Sequence, residues 1–220
     1  MKSIFPNPRH ATEDGLLTVG GFITPEILVD AYTNGIFPWP ISVELPLAWF
    51  SPDPRGIILL EDYNPSRNVT KSFNQSNFTV RYNTNFEAVI LGCAKHHSQN
   101  FSKETWITPE MVKGYCALHE KGNAFSVETY DTDNQLVGGL YGVNINGFLS
   151  GESMFFTRSN ASKFALYSLL EHLKSVNAIM LDTQMTTPVT EKFGAKYIDR
   201  EEYLLFLDKS LKAKKISFPT

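Results

Sequence analysis

The chain is predicted to be an α+β protein of mixed α/β layers, with a small N-terminal domain ahead of a larger layered one. The segment before residue 62 is rich in proline, glycine and aromatic residues around one proline-started helix. From Ala124 the apolar pattern takes a period of two and turns at Asn146-Gly147. A leucine-striped helix, a short apolar strand, a brief helix and a last apolar run follow. That order builds helices against a sheet.

Residues 1–22 read as loop, broken by Pro6 and Pro8 and punctuated by Gly15, Gly20 and Gly21. Thr24-Pro25-Glu26 starts a helix with a side-chain cap, a proline in its first turn and an acid near its positive end. Gly35 ends it. In Ile36-Phe-Pro-Trp-Pro40 and Leu47-Ala-Trp-Phe-Ser-Pro-Asp-Pro-Arg55, aromatics lie between prolines. They are expected to form an irregular, rigid platform that packs inward or stacks on a planar ligand. Gly56 to Leu60 is a short buried strand. A boundary near residue 62 divides the chain into residues 1–62 and 63–220.

Arg67 to Phe73 is a short helix with Arg67 and Lys71 on one face. Phe78 to Tyr82 alternates as a strand. Thr84 is expected to cap a helix whose Phe86, Val89, Ile90 and Cys93 share a face. Lys95-His-His97 lacks the spacing of a metal site. Thr108-Pro-Glu110 starts the next helix, which Gly122 stops. Phe125 to Tyr130 is a strand. The run from Gly138 to Phe156 is a hairpin, because Asn-Gly suits a turn with positive φ. The glycines at 138, 139 and 142 suggest a bulge or a place where ligand approaches the backbone. Asn160 starts a helix with Leu166, Leu169, Leu170 and Leu173 on one stripe. Ala178 to Asp182 is a buried strand, Thr187 to Phe193 a brief helix, and Tyr203 to Leu207 a final strand. Lys209 to Lys215 is a solvated tail.

Composition narrows the function. The 220 residues carry a net charge of −3, so nucleic acid would have to meet a local patch. No window approaches the unbroken apolar length of a membrane span, and the start lacks the apolar stretch of a secretory signal. The cysteines, Cys93 and Cys116, read as free thiols of a reducing cytoplasm. Glu152, Asp182 and Gln184 are the candidates for chemistry. Alternation puts Asp182 and Gln184 on one face if their strand extends that far. A strand-helix-strand connection commonly makes neighbours of the strands it joins, which would bring Glu152 to the same cleft edge. Carboxylates so placed suit glycoside hydrolysis or acyl transfer to an amine. Spacing does not choose between them, and each residue could instead serve only its own loop. No Gly-x-Ser-x-Gly elbow or evident Cys-His pair points to an acyl-enzyme.

Ordered motifs run through the chain: Phe37-Pro-Trp39, Trp49 to Arg55, Thr105-Trp-Ile-Thr108, Gly138-Gly-Leu-Tyr-Gly142, Gly151-Glu-Ser-Met-Phe155, Asn160-Ala-Ser-Lys163 and Asp182-Thr-Gln184. From about Gly15 to Tyr203 the sequence resembles the leucyl/phenylalanyl-tRNA–protein transferase family. The resemblance implies a GNAT-like acyltransferase domain behind a family-specific N-terminal domain. It implies transfer of Leu or Phe, and less well Met, from aminoacyl-tRNA to proteins that begin with Arg or Lys. The product is marked for N-end rule degradation. It implies a cytoplasmic monomer that needs no cofactor or metal. The pyrophosphate loop of acetyl-CoA enzymes has no counterpart before Asn160, which sets an acetyl-CoA-dependent N-acetyltransferase behind. A non-catalytic RNA-binding module is the other alternative.

By motif, Asp182 and Gln184 match the residues assigned to catalysis, and Glu152 matches the acid that holds the acceptor's N-terminal region. Trp39 and Trp106 match the aromatics that hold the terminal adenosine, in keeping with adenine stacking on aromatic faces. Leu140, Met154, Leu169, Leu173 and Leu181 fall where the family builds its donor pocket. The family commonly has a denser basic cluster where this chain has only Arg67 and Lys71 to meet the tRNA acceptor stem.

Overall fold

The computed structural model describes residues 3–41, 45–100 and 105–219. The N-terminal unit contains β1 (Leu16–Val19), α1 (Pro25–Thr33), β2 (Phe37–Pro38) and β3 (Ala48–Phe50), with sheet order β1-β3-β2. Thr24 caps α1 by accepting the Ile27 N–H at 3.3 Å, and the chain leaves the helix through Gly35 at φ 75°. The aromatic-proline segments, expected to be irregular, thus supply two short strands. Pro38 is tolerated because β2 lies at a sheet edge, while β3 in the middle holds no proline. β1 lies within the stretch expected to be loop. It is only 4 residues long between glycines, too short to show its alternation.

The large sheet has order β10-β4-β9-β8-β7-β6-β5. Its strands are β4 (Arg55–Leu59), β5 (Thr79–Tyr82), β6 (Ala124–Tyr130), β7 (Leu136–Ile145), β8 (Phe148–Phe156), β9 (Met180–Gln184) and β10 (Lys196–Ile198). All pair antiparallel except β8 with β9, which are joined through α5 (Ala161–Ser175). β4 precedes the boundary expected near residue 62, yet it is hydrogen-bonded between β10 and β9.

Alternation along the strands feeds two cores. Tyr141, Val143, Phe148, Phe155 and Met180 pack with α1, with α3 (Phe86–Asn100) and α4 (Pro109–Glu120), and with α7 (Arg200–Lys212). On the other face Leu140, Leu149 and Leu181 pack with α5 and with Phe73 of α2 (Arg67–Asn74). Helices on both faces of one sheet make the layered α+β architecture expected.

Several local expectations need correction. Tyr203 to Leu207 is not a strand but part of α7. Tyr203, Leu207 and Ser210 are buried on one helical face while Leu205 is 64% exposed. Asp199 caps that helix, accepting the Glu202 N–H at 2.7 Å. The supposed tail from Lys209 therefore begins inside α7, and the last strand is β10. Thr84 does not cap α3. Its hydroxyl and N–H, with the Asn85 N–H, donate to the buried carboxylate of Glu128 on the adjoining strand β6. α6 (Pro188–Glu191) carries a reciprocal cap between Thr187 and Thr190. The glycines of β7 make room for protein and not for ligand. A Cβ at Gly138 would lie 2.6 Å from that of Ala161, and one at Gly142 would lie 2.1 Å from the Ser150 carbonyl oxygen.

Candidate active site

β8 and β9 pair only at Leu149↔Leu181 and Ser150↔Asp182, then part. Each strand bulges where they separate. On β8 the register with β7 slips between Tyr141↔Ser153 and Gly142↔Gly151, which leaves Glu152 as the extra residue. On β9 the register with β4 slips between Gly56↔Gln184 and Ile57↔Asp182, which leaves Thr183 extra. Bulges re-aim side chains and end pairing. A cavity of about 130 Å³ occupies the gap. Leu140, Met154, Leu166, Leu169 and Leu181 line its apolar part, and Tyr141, Glu152, Thr183 and Gln184 its polar part.

The polar end is one hydrogen-bonded group. The Gln184 Nε2 donates to Ser150 Oγ at 2.7 Å and to Glu152 Oε1 at 3.0 Å, and Ser150 Oγ donates to the same Oε1 at 2.8 Å. The Tyr115 hydroxyl donates to Glu152 Oε2 at 3.3 Å and lies 2.5 Å from the Tyr32 hydroxyl. Burial lifts the Glu152 carboxyl to about 7, although the tyrosine and Ser150 hydroxyls and the Arg55 charge pull it down. The Gln184 Oε1 accepts nothing among the described residues.

Asp182 and Gln184 do not face the cavity together. Gln184 has φ 56°, and the Met185 N–H closes a tight turn on the Thr183 carbonyl at 2.5 Å. This turn breaks the alternation that would have aligned the two side chains. Asp182 is fully buried and is held by Arg55 and Tyr203.

Trp39 and Trp106 come from segments far apart in sequence and stack on one another, with centroids 4.9 Å apart and planes 9° apart. Leu173, expected in the donor pocket, is fully buried in the α5 core and does not line the cavity. Arg67 and Lys71 are exposed on α2, and neither joins an ion pair among the described residues. No metal-binding group of His, Cys, Asp and Glu occurs among the described residues, and both cysteines are free. Sequence reasoning assigned no role to Arg55, Ser150, Tyr115 or Leu166. Arg55 stood within a quoted motif and Leu166 on the leucine stripe of its helix, whereas no local signal marked Ser150 or Tyr115.

The profile of a family described as leucyl/phenylalanyl-tRNA protein transferase matches residues 57–208, and that of its N-terminal domain matches residues 21–53. A leucyl/phenylalanyl-tRNA–protein transferase of Colwellia psychrerythraea is 45% identical over 195 residues, covering 87% of this chain and 80% of that protein. One of Flavobacterium johnsoniae is 43% identical over 205 residues, covering 92% of this chain and 94% of that protein. Among solved structures, L-PGS from Bacillus licheniformis overlaps 86% of this chain and 71% of its own at 10% identity, with TM-score 0.46. A possible acetyltransferase from Clostridium difficile overlaps 66% of this chain and 95% of its own at 11% identity, with TM-score 0.38.

Proposed function

The chain belongs to the leucyl/phenylalanyl-tRNA–protein transferase family, and from that premise we propose how its cleft transfers an amino acid to a protein N-terminus. It is an aminoacyltransferase whose substrates are aminoacyl-tRNA and protein. The observation that carries the reading is the parting of β8 from β9 around a cavity that is apolar at one end and amide-carboxylate at the other. The apolar end accepts the donor side chain. At about 0.8 kcal/mol per buried CH₂ it favours Leu and Phe over smaller residues, and it discriminates poorly against Met.

The donor ester is already activated, so orientation is the main task. The acceptor α-amine, of ordinary pKa about 8, loses a proton and attacks the ester carbonyl. The C–N bond forms, the nitrogen gives up its second proton, the C–O bond to the tRNA ribose breaks, and the ribose oxygen takes up that proton. Gln184 Oε1 holds the amine, and Asp182 orients Gln184 through its backbone N–H, 2.9 Å from Oδ1. Glu152, when ionised, pairs with the cationic charge of an acceptor that begins with Arg or Lys. The stacked Trp39 and Trp106 offer the terminal adenine an aromatic wall. Arg67 and Lys71 meet acceptor-stem phosphates.

The family resemblance adds the proposed cellular setting: a cytoplasmic monomer that labels proteins for N-end rule degradation. Among the described residues no helix is long and apolar enough to cross a membrane. Purified protein mixed with labelled Leu-tRNA and a peptide with N-terminal Arg tests the reading. Label is expected on the peptide α-amine, and its absence with active Leu-tRNA present rejects the proposal.

A further inference from the structure

Arg55 is among the largest side chains that the protein buries completely, and it does not line the cavity. Its Nε and Nη2 donate to the Asp182 carboxylate at 3.0 and 2.7 Å, and its Nη1 donates to the Gly35 carbonyl at 3.1 Å. The rings of Phe37 and Tyr203 are centred 4.7 and 4.5 Å from its Cζ. Three parts of the chain, the segment after α1, β9 and α7, thus converge on the one guanidinium that β4 carries.

Asp182 is saturated by this arrangement. Its Oδ1 accepts from Arg55 Nε and from the Gln184 N–H at 2.9 Å. Its Oδ2 accepts from Arg55 Nη2 and from the Tyr203 hydroxyl at 2.8 Å. With each oxygen doubly engaged and no exposed surface, the carboxylate has no lone pair for an incoming amine. What it does hold is Gln184, whose φ of 56° is costly for a residue with a Cβ. Gly56 on the neighbouring strand admits the turn, since a Cβ there would lie 2.6 Å from the Met185 carbonyl carbon.

We propose that Arg55 is a positioning residue: by locking Asp182 it fixes the left-handed turn at Gln184 and so the aim of the Gln184 amide into the cleft. The inference deepens the transferase reading and rests on it. Asp182 is then an anchor and not the acceptor of the amine proton.

Arg55→Lys keeps the charge but loses the two-pronged contact, so it disturbs aim without leaving Asp182 unpaired. For transfer from Leu-tRNA to a peptide with N-terminal Arg, kcat should fall about 100-fold. KM for both substrates should stay within about twofold, because only the reacting geometry is lost. The kcat–pH profile should keep its shape. Combined with Asp182→Asn, the losses should not add, because Arg55 acts through Asp182 alone. Tyr203→Phe removes a single donor and provides a milder check should Arg55→Lys fail to fold. It is expected to lower kcat by about tenfold at unchanged KM.

A lowered Tm with near-wild-type kcat per folded molecule in Arg55→Lys or Tyr203→Phe, while Asp182→Asn is slow, overturns the role of Arg55 alone. Full additivity of Arg55→Lys with Asp182→Asn overturns it as well. Wild-type kcat in both Asp182→Asn and Gln184→Ala overturns the reading of the site together with it.

Discussion

Glu152 and Asp182 are carboxylates on neighbouring strands with opposite surroundings. Asp182 sits against a guanidinium that compensates its charge, whereas Glu152 meets only neutral donors directly and is pushed by burial to about 7. Because the folded value lies above the ordinary 4.5, folding favours the protonated form. Its contribution to stability is complete below 4.5 and is lost as pH rises through 7. Glu152→Gln should therefore be more stable than wild type at pH 8 in urea unfolding, and no more stable at pH 4. In transfer the sign reverses. An ionised Glu152 attracts a cationic acceptor, so acceptor kcat/KM should rise through about pH 7 in wild type. Deprotonation of the amine near pH 8 raises both proteins alike, so the informative quantity is their ratio. That ratio should grow to about tenfold in favour of wild type at pH 8. A ratio independent of pH would show that the Glu152 charge does not engage the acceptor.

At the scale of elements, α5 carries both a cavity-lining and a purely core leucine. Leu166 borders the cavity, while Leu173 is enclosed by the core. Leu173→Ala should cost about 2–5 kcal/mol in thermal or urea unfolding and leave the preference between Leu-tRNA and Phe-tRNA unchanged. Leu166→Ala should enlarge the cavity and move the ratio of kcat/KM toward Phe-tRNA, by about tenfold. Equal shifts in both variants would refute this division. The same helix marks what was legible in sequence. Its leucine stripe, the Asn146-Gly147 turn and the cap at Thr108 were readable because each is a local signal. α7 is not legible as a helix because Tyr203-Leu-Leu-Phe-Leu207 fits a strand as well as a helix face, and the cap that decides it, Asp199, lies outside that run. β10, with only 3 residues at a sheet edge, has no pattern to read. Glu152, Asp182 and Gln184 could be singled out as polar residues near the expected ends of apolar runs, although Glu152 and Asp182 lie mid-strand in β8 and β9. Their roles came from family resemblance, and the Arg55 contact joins residues 127 positions apart. No periodicity reports a contact at that separation.

At the scale of the whole molecule, the N-terminal unit is built into the site. It supplies Tyr32 beside Tyr115, the Gly35 carbonyl and Phe37 ring around Arg55, and Trp39 against Trp106. What the molecule lacks is a generally basic surface, since its net charge is −3. Its own field therefore repels a polyanion at long range, and tRNA must be met by a local patch. Arg67 and Lys71 lie one turn apart on the exposed face of α2, where Ser66 caps the helix and Phe73 ties it to the core through stacking on Tyr167. A patch of this kind gives affinity that falls with salt in proportion to the phosphates it neutralises. Removing both charges with Arg67→Ala and Lys71→Ala should lower the slope of log affinity against log salt by about one unit per lost contact. Their effect on turnover at saturating Leu-tRNA should be small, because neither residue lines the cleft. Fluorescence titration of labelled Leu-tRNA at several salt concentrations measures the slope directly. An unchanged slope in the double variant would place the acceptor stem on another face of the protein.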